Sequence, residues 1–213
     1  LGFDILWRSL KELEDRSLNG VLLANEVLDA LPVERIINSA GKMNRQGVSL
    51  NKKSGRLFFK EIKMIKELEK DIAIAQEKLD INIPPKDAPE GWTTEWHIDN
   101  KIWLKTVYEK INNGILLVID YAKEAKKYYS MSNNNGTLIS YKDQKIVENL
   151  FESPGNCDLT CHVCIETLIH DSQTIGFETI GLVKQGEALL SLGLAERLFE
   201  IQNELKDDIS KAL

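Results

Sequence analysis

Two short apolar runs dominate the pattern of hydrophobic and polar positions along the chain. Residues 20–24 and 114–119 are continuous apolar segments, and each ends directly in polar residues. Runs of this length are typical of strands that are buried on both faces of a parallel sheet. Helix-like stretches at residues 9–16 and 103–111 precede the runs. The pattern therefore predicts helix, glycine-containing turn and buried strand twice, which indicates an α/β fold.

Polar side chains follow both predicted strands. Asn25 and Glu26 follow the first run, with Asp29 three residues beyond Glu26. Asp120 and Tyr121 follow the second run. The ligand crevice of an open α/β sheet lies at the carboxyl ends of its strands, so we expect both sets to face one site. Paired carboxylates can bind a cationic group bidentately, above all a guanidinium. The alternative is structural: Asp29 caps a short helix and Glu26 pairs with an internal arginine.

The region between the two runs has a different pattern. Short strand-like segments joined by glycine-containing turns are predicted at residues 33–38, 47–50 and 56–60. Residues 60–79 then carry apolar side chains at spacings of three and four, which predicts an amphipathic helix. We therefore predict an inserted β-hairpin/helix lobe at residues 33–113. Residues 1–32 and 114–213 are assigned to the α/β domain.

The pattern beyond the second run predicts helices again. A helix is expected at residues 166–175, followed by a strand at residues 177–183. Two closing helices are expected at residues 187–192 and 194–205, broken at Gly193.

Composition narrows the function classes. The net charge is −6 and the sequence pI is about 5.3, whereas binding to a nucleic-acid backbone rests on clustered lysine and arginine. No apolar run approaches the roughly 20 residues that a membrane helix needs. Three cysteines in 213 residues are no disulfide framework, so a reducing, cytoplasmic setting is expected. Neither a nucleic acid nor a membrane is expected as a partner.

The cysteines form a motif of their own. Cys157, Cys161 and Cys164 have the spacing C-x3-C-x2-C of the cluster-binding loop of radical S-adenosylmethionine enzymes. Too little chain follows Cys164 to build the barrel that such enzymes need. His162 adds a Cys3His zinc hypothesis, but its adjacency to Cys161 makes joint ligation awkward. Buried cysteines without a ligand are the favoured interpretation, and no metal is expected.

Five sequence blocks complete the pattern. In order along the chain they are GVLLANEVLDALPV (20–33), GILLVIDY (114–121), GTLISY (136–141), PGNCDLTCHV (154–163) and KQGEALLSLG (184–193). Together they resemble the MidA-like S-adenosylmethionine (SAM)-dependent methyltransferases, relatives of the mitochondrial complex I assembly arginine methyltransferase. The match runs from about Trp7 to Leu198. The chain departs from the family pattern at Ala122, Gln144 and Ala188.

The resemblance assigns roles to residues at the strand ends. Glu26 and Asp29 are expected to bind and orient the acceptor, and Asp120 and Tyr121 to line the substrate side as further catalytic residues. Asn25 is expected to present its amide to the cofactor or the substrate.

Further assignments come from the other blocks and from the N-terminal segment. Trp7 is expected at the cofactor. Asp158 and Thr160 are expected to contact the substrate, and His162 either accepts a proton or braces its loop.

The resemblance also points to an absence. No G-x-G-x-x-G sequence occurs in the 213 residues, although a glycine-rich turn lets the backbone approach the cofactor in this fold. The expected fold is therefore a partial Rossmann-like class I methyltransferase sheet whose N-terminal strands are absent. The first residue is Leu1, which fits a processed N-terminus, a cloning artefact or the C-terminal piece of a longer protein.

The predicted function follows from the resemblance. The chain is expected to be the C-terminal part of a SAM-dependent methyltransferase that acts on a protein side chain, with arginine as the candidate acceptor, and to be inactive alone. The alternative is a non-catalytic assembly module that recognises a basic segment. Sheet edges left open would favour self-association, so a homodimer is the expected assembly.

Overall fold

A computed structural model describes residues 4–212, with side chains through residue 204. The chain divides into two compact units, Leu1–Glu178 and Thr179–Leu213. In chain order, the elements of the first unit are a 3-10 turn (Leu10–Glu12), β1 (Leu18–Asn25), β2 (Glu34–Ser39), β3 (Lys42–Leu50), β4 (Leu57–Ile62), α1 (Lys66–Leu79), β5 (Thr93–Trp96), α2 (Ile98–Lys110), β6 (Ile111–Ile119), β7 (Ala122–Lys123), α3 (Ala125–Tyr128), β8 (Ile139–Lys142), β9 (Lys145–Val147), β10 (Asp158–Thr160), β11 (Val163–Cys164) and α4 (Ile165–Ile175). The second unit holds α5 (Gln185–Ser191) and α6 (Leu194–Ala212).

The two apolar runs form a parallel pair, β1 and β6, as predicted. Gly20 lies opposite Gly114, and Asn25 lies opposite Ile119, so both strands end at the same edge. A side chain at Gly114 would overlap the backbone oxygen of Gly20, which explains the glycine at this close approach. The register therefore brings the polar residues after both strands together.

Burial of the parallel pair differs from the prediction. Val21 and Leu23 are 68% and 58% exposed, and their register partners Ile115 and Leu117 are 46% and 47% exposed. These four side chains lie on the same face, which is therefore largely exposed. The prediction that both faces are buried is wrong for this part of the chain.

The main hydrophobic cluster joins the antiparallel lobe, which consists of β2–β5 and α1, to Ala125, Tyr128, Tyr129 and Cys164. The strands of the lobe are ordered β4-β3-β2-β5, and α1 buries Leu68 and Ile72 in the same cluster as Ile36, Trp92 and Trp96. The three predicted strands are confirmed, while β5 was not predicted. The helix predicted from residue 60 begins only at Lys66, because the preceding residues pair with β3. The domain boundaries at residues 33 and 113, and the Rossmann-like character of the sheet, stay predictions.

Two predicted elements are wrong. The helix expected at residues 9–16 is only a 3-10 turn, because the chain reverses at Arg16, whose N–H donates to the carbonyl of Glu109 at 2.9 Å. The strand expected at residues 177–183 has no regular structure, since no described strand lies beside it to complete a ladder. The other predicted helices are observed, with Gly193 at φ +90° between the last two. Within residues 4–212, no helix has the length and apolar content that a membrane crossing requires.

Candidate functional site

Asp120 joins the ends of the parallel pair. Its Oδ2 accepts the backbone N–H groups of Leu28 and Asp29 at 3.0 and 3.3 Å, and its Oδ1 accepts the N–H of Tyr121 at 2.8 Å. Burial raises the pKa of Asp120, and the nearby charge of Asp29 raises it further, while these N–H groups act in the opposite direction. The carboxylate of Asp120 therefore holds the turn after β1. Its expected contact with the substrate stays a prediction.

Glu26 presents the exposed carboxylate of the site. Its N–H donates to the carbonyl of Ile119 at 2.8 Å, and its backbone is in the left-handed region at φ +50°. The nearby charge of Glu26 is the largest cause of the raised pKa of Tyr121. Glu26 and Tyr121, predicted from separate strands, therefore meet in one cluster.

Asp29 lies beneath this surface and is only 6% exposed. Its Oδ2 accepts the hydroxyl of Thr160 at 2.5 Å, and its carbonyl accepts the N–H of Cys161 at 3.0 Å. Its Oδ1 is buried and has no hydrogen-bond partner among the described residues. Because a turn rather than a helix follows Asp29, its alternative role as a helix cap is excluded.

His162 completes the cluster. Its ring centroid lies 6.5 Å from that of Tyr121, at an interplanar angle of 69°. Burial lowers the pKa of His162, and Lys123 lowers it further, while Asp29 acts in the opposite direction. The cluster of Glu26, Asp29, Tyr121, Thr160 and His162 is called the acceptor cluster below. It lies at the carboxyl edge of the parallel pair.

Three other predicted residues lie at exposed positions. Asp158 is the exposed first residue of β10, and Asn25 is the exposed last residue of β1. Trp7 is 92% exposed in the segment before the 3-10 turn. Sequence reasoning missed Thr137, which accepts the N–H of His162 at 3.0 Å. Its position within the block at residues 136–141 was the available signal.

The cysteines do not gather into a ligand set. Cys161 and Cys164 are buried, and burial raises the pKa of both thiols, which disfavours the thiolates that a metal would need. Cys157 donates instead to the carbonyl of Glu152 at 3.2 Å. Within the described part of the chain, no three histidine, cysteine or acidic side chains are placed to hold a metal ion.

Comparison with known proteins identifies the family of the chain. A family model described as "Putative S-adenosyl-L-methionine-dependent methyltransferase" matches residues 1–183. The chain belongs to this methyltransferase family. It is 29% identical over 210 residues to a Caenorhabditis elegans protein named "Protein arginine methyltransferase NDUFAF7 homolog, mitochondrial". That match covers 97% of this chain and 45% of the relative, so the chain spans about half the length of the curated relative it matches.

Solved structures are also similar to this chain. It is similar, with a TM-score of 0.76 and 27% identity, to a COG1565 superfamily member from Burkholderia thailandensis bound to S-adenosyl-homocysteine. That match covers 89% of this chain and 46% of the other. A native structure of a COG1565 superfamily protein from the same organism gives a TM-score of 0.75 at 27% identity, with 87% and 46% covered.

The cofactor of the family is SAM. The sequence has no glycine-rich turn, and the turn that follows β1 is occupied by acidic residues whose charges and hydrogen bonds suit a cation.

Proposed function

We propose that the chain forms the acceptor-binding part of a SAM-dependent methyltransferase that modifies a protein side chain, with arginine as the acceptor. Membership of the family supports methyl transfer. The relative named as a protein arginine methyltransferase supports the choice of acceptor. The charge of the acceptor cluster supports the same choice independently.

The observation that carries the proposal is the convergence of Glu26 and Asp29 beside Tyr121. Glu26 offers an exposed carboxylate, which can accept two N–H groups of a guanidinium in parallel. Asp29 contributes a buried charge whose Oδ1 has no partner among the described residues. Because this oxygen is buried, Asp29 would act on a cation bound at Glu26 through its charge and not through a hydrogen bond.

The chemistry asks for positioning more than for proton transfer. Methyl transfer to a guanidinium nitrogen is an in-line displacement, so the reacting nitrogen must be held in line with the methyl donor. That nitrogen gives up one proton as the N–C bond forms, and the exposed carboxylate of Glu26 would pass the proton to solvent. Glu26 would fix the plane of the guanidinium, and the ring of Tyr121 would cover one side of it. The carboxylate of Glu26 also stabilises the positive charge that the methylated guanidinium retains.

The remainder of the SAM site is proposed to come from protein outside these 213 residues. We expect this chain to bind SAM weakly or not at all, and a longer protein that contains it to bind SAM clearly. Isothermal titration calorimetry on both proteins tests this. A longer protein that fails to bind SAM would favour the alternative of a non-catalytic assembly module. The cytoplasmic location and the homodimer stay predictions.

The acceptor is tested by methyl transfer with the longer protein. Radiolabelled SAM and two peptides that differ only in arginine or lysine are the substrates. We expect label in the arginine peptide, and we expect Glu26→Gln to lower kcat/KM by about 10- to 100-fold, because one charge-assisted hydrogen bond contributes roughly 1.5–3 kcal/mol. The matched control is Glu124→Gln, an exposed glutamate outside the cluster. Equal loss in both variants would count against the proposal, as would labelling of the lysine peptide alone.

A further inference from the structure

A second polar network is buried beside the acceptor cluster, and the proposed function does not use it. Its centre is Glu95 of β5, which is completely buried. One oxygen, Oε2, accepts the backbone N–H of Thr137 at 2.8 Å, the hydroxyl of Thr137 at 3.2 Å and the hydroxyl of Tyr128 at 3.3 Å. Three donors on one oxygen of a carboxylate fix that carboxylate, and whatever is attached to its donors.

Arg35 balances the charge of Glu95. Its Nε lies 3.6 Å from Oε1 of Glu95, its guanidinium stacks 4.6 Å from the ring centroid of Phe59, and its NH2 group donates to the carbonyl of Asn135 at 2.9 Å. Gly136 has φ +75°, and a side chain there would overlap the Glu95 carboxylate. The glycine of the block at residues 136–141 is therefore what lets this loop reach Glu95.

The network is connected to His162 at two points. The Thr137 hydroxyl, which donates to Glu95, accepts the N–H of His162 at 3.0 Å. On the other side, Nε2 of His97 lies 3.0 Å from the carbonyl of His162. That carbonyl can only accept, so Nε2 of His97 carries the hydrogen. Both backbone groups of His162 are thus held by buried side chains.

The two residues that precede His162 extend this connection into the acceptor cluster. Two residues before His162, Thr160 donates to Asp29, and the N–H of Cys161 donates to the carbonyl of Asp29. The segment 160–162 is therefore fixed between Asp29 on one side and the Glu95 network on the other.

We propose that Thr137, held by Glu95 and helped by His97, is a positioning residue that sets the His162 imidazole against Tyr121 in the acceptor cluster. The placement itself does not depend on the proposed function; only its effect on methyl transfer rests on it. A buried ion pair is weak evidence for stability, because apolar side chains of similar volume often serve as well. We therefore attribute the charged network to the orientation of His162 and not to stability.

The test uses the histidine ring signals of this chain. The chain has three histidines, so histidine labelled with 13C at Cε1 gives three ring resonances, which His→Gln variants assign. We expect Thr137→Val to shift the His162 resonance and to remove its nuclear Overhauser contact with the ring of Tyr121, because the N–H of His162 loses its acceptor. Thr137→Ser keeps the hydroxyl and should restore both signals. An unchanged His162 resonance in Thr137→Val would overturn the proposal.

Thr94→Val is the matched control. Thr94 is also completely buried and adjoins Glu95, but its hydroxyl has no partner among the described residues. This variant removes the same hydroxyl oxygen from a buried threonine next to Glu95 and should leave the His162 signals unchanged. A shift equal to that of Thr137→Val would mean that any buried change moves His162, which contradicts a specific role.

Two further measurements make the result decisive. Should Thr137→Val fail to fold, amide hydrogen exchange of the unaltered chain replaces it: the His162 amide should be protected although it lies outside every helix and strand, and rapid exchange would overturn the proposal. In the longer protein, Thr137→Val should lower kcat by about 10- to 100-fold with KM nearly unchanged. If Thr137→Val changes the His162 signals as expected but the longer protein shows no methyl transfer, the placement of His162 is confirmed. Only the proposed function is then contradicted.

Discussion

In the antiparallel lobe, Ile36, Leu68 and Ile72 are completely buried, whereas Val21 and Leu23 of the parallel pair are 68% and 58% exposed. Both regions use the same kinds of apolar residue. The lobe buries them between a sheet and a helix, while one face of the parallel pair leaves its side chains about half exposed or more. Stability therefore concentrates in the lobe, and the acceptor cluster depends on the backbone ladder of two strands and on the hydrogen bonds made after them.

The largest effect should come from the lobe. Ile72→Ala removes a completely buried side chain and should lower the free energy of unfolding by about 3 kcal/mol, within the range for large-to-small core substitutions. Leu23→Ala in the parallel pair is the control and should cost less than about 1 kcal/mol, because the side chain is already largely in water. Urea unfolding measures both. Similar losses of unfolding free energy in the two variants would contradict the expected difference between the lobe and the parallel pair.

Acid should weaken the region that joins the lobe to the acceptor cluster. Burial lowers the pKa of His97 from its ordinary 6.5 to about 4, although its hydrogen bond to His162 acts in the opposite direction. The unfolded chain then takes up the proton first, so the contribution of His97 to stability is complete above pH 6.5 and is lost as the pH falls from 6.5 to about 4. The loss should be about 3 kcal/mol.

Urea unfolding at a series of pH values, with His97→Gln for comparison, checks this prediction. Carboxylates titrate in the same range in both proteins, so the difference between the two pH profiles isolates His97. Profiles that run parallel between pH 4 and 6.5 would refute the assignment.

A smaller effect is expected within the acceptor cluster. Thr160→Val removes the donor to Oδ2 of Asp29 and leaves both oxygens of this buried carboxylate without a partner, which should cost roughly 1–3 kcal/mol. Thr160→Ser keeps the hydroxyl and should cost little. Thermal unfolding compares the two, and equal destabilisation would show that the methyl group, and not the hydrogen bond, supports the turn.

The parts of the fold that the sequence pattern predicts are those with continuous local signals. The runs at residues 20–24 and 114–119 predicted the parallel pair, and the polar residues directly after them predicted which side chains meet at its edge. Burial was not predictable in the same way, since an apolar run shows that a strand can be covered but not whether another layer covers it.

Other parts depend on contacts between residues that are distant in the sequence. β5 has the sequence Thr-Thr-Glu-Trp, whose four residues are all buried and show no alternation. A glutamate at such a position indicates exposure unless its partners are known, and Arg35, Tyr128 and Thr137 come from three other segments. The role of Asp120 was missed for a similar reason, because backbone N–H donors leave no trace in the sequence.

Glu26 keeps a left-handed backbone conformation, which costs a residue other than glycine about 1 kcal/mol or more. Glycine would adopt φ +50° without that cost but would carry no carboxylate. An engineering programme that replaces residues at unfavourable dihedral angles with glycine would thus include position 26 among its targets. The resulting protein would withstand heat as well or better while losing the charge that we propose for substrate capture, so thermal screening alone would select against activity at this position.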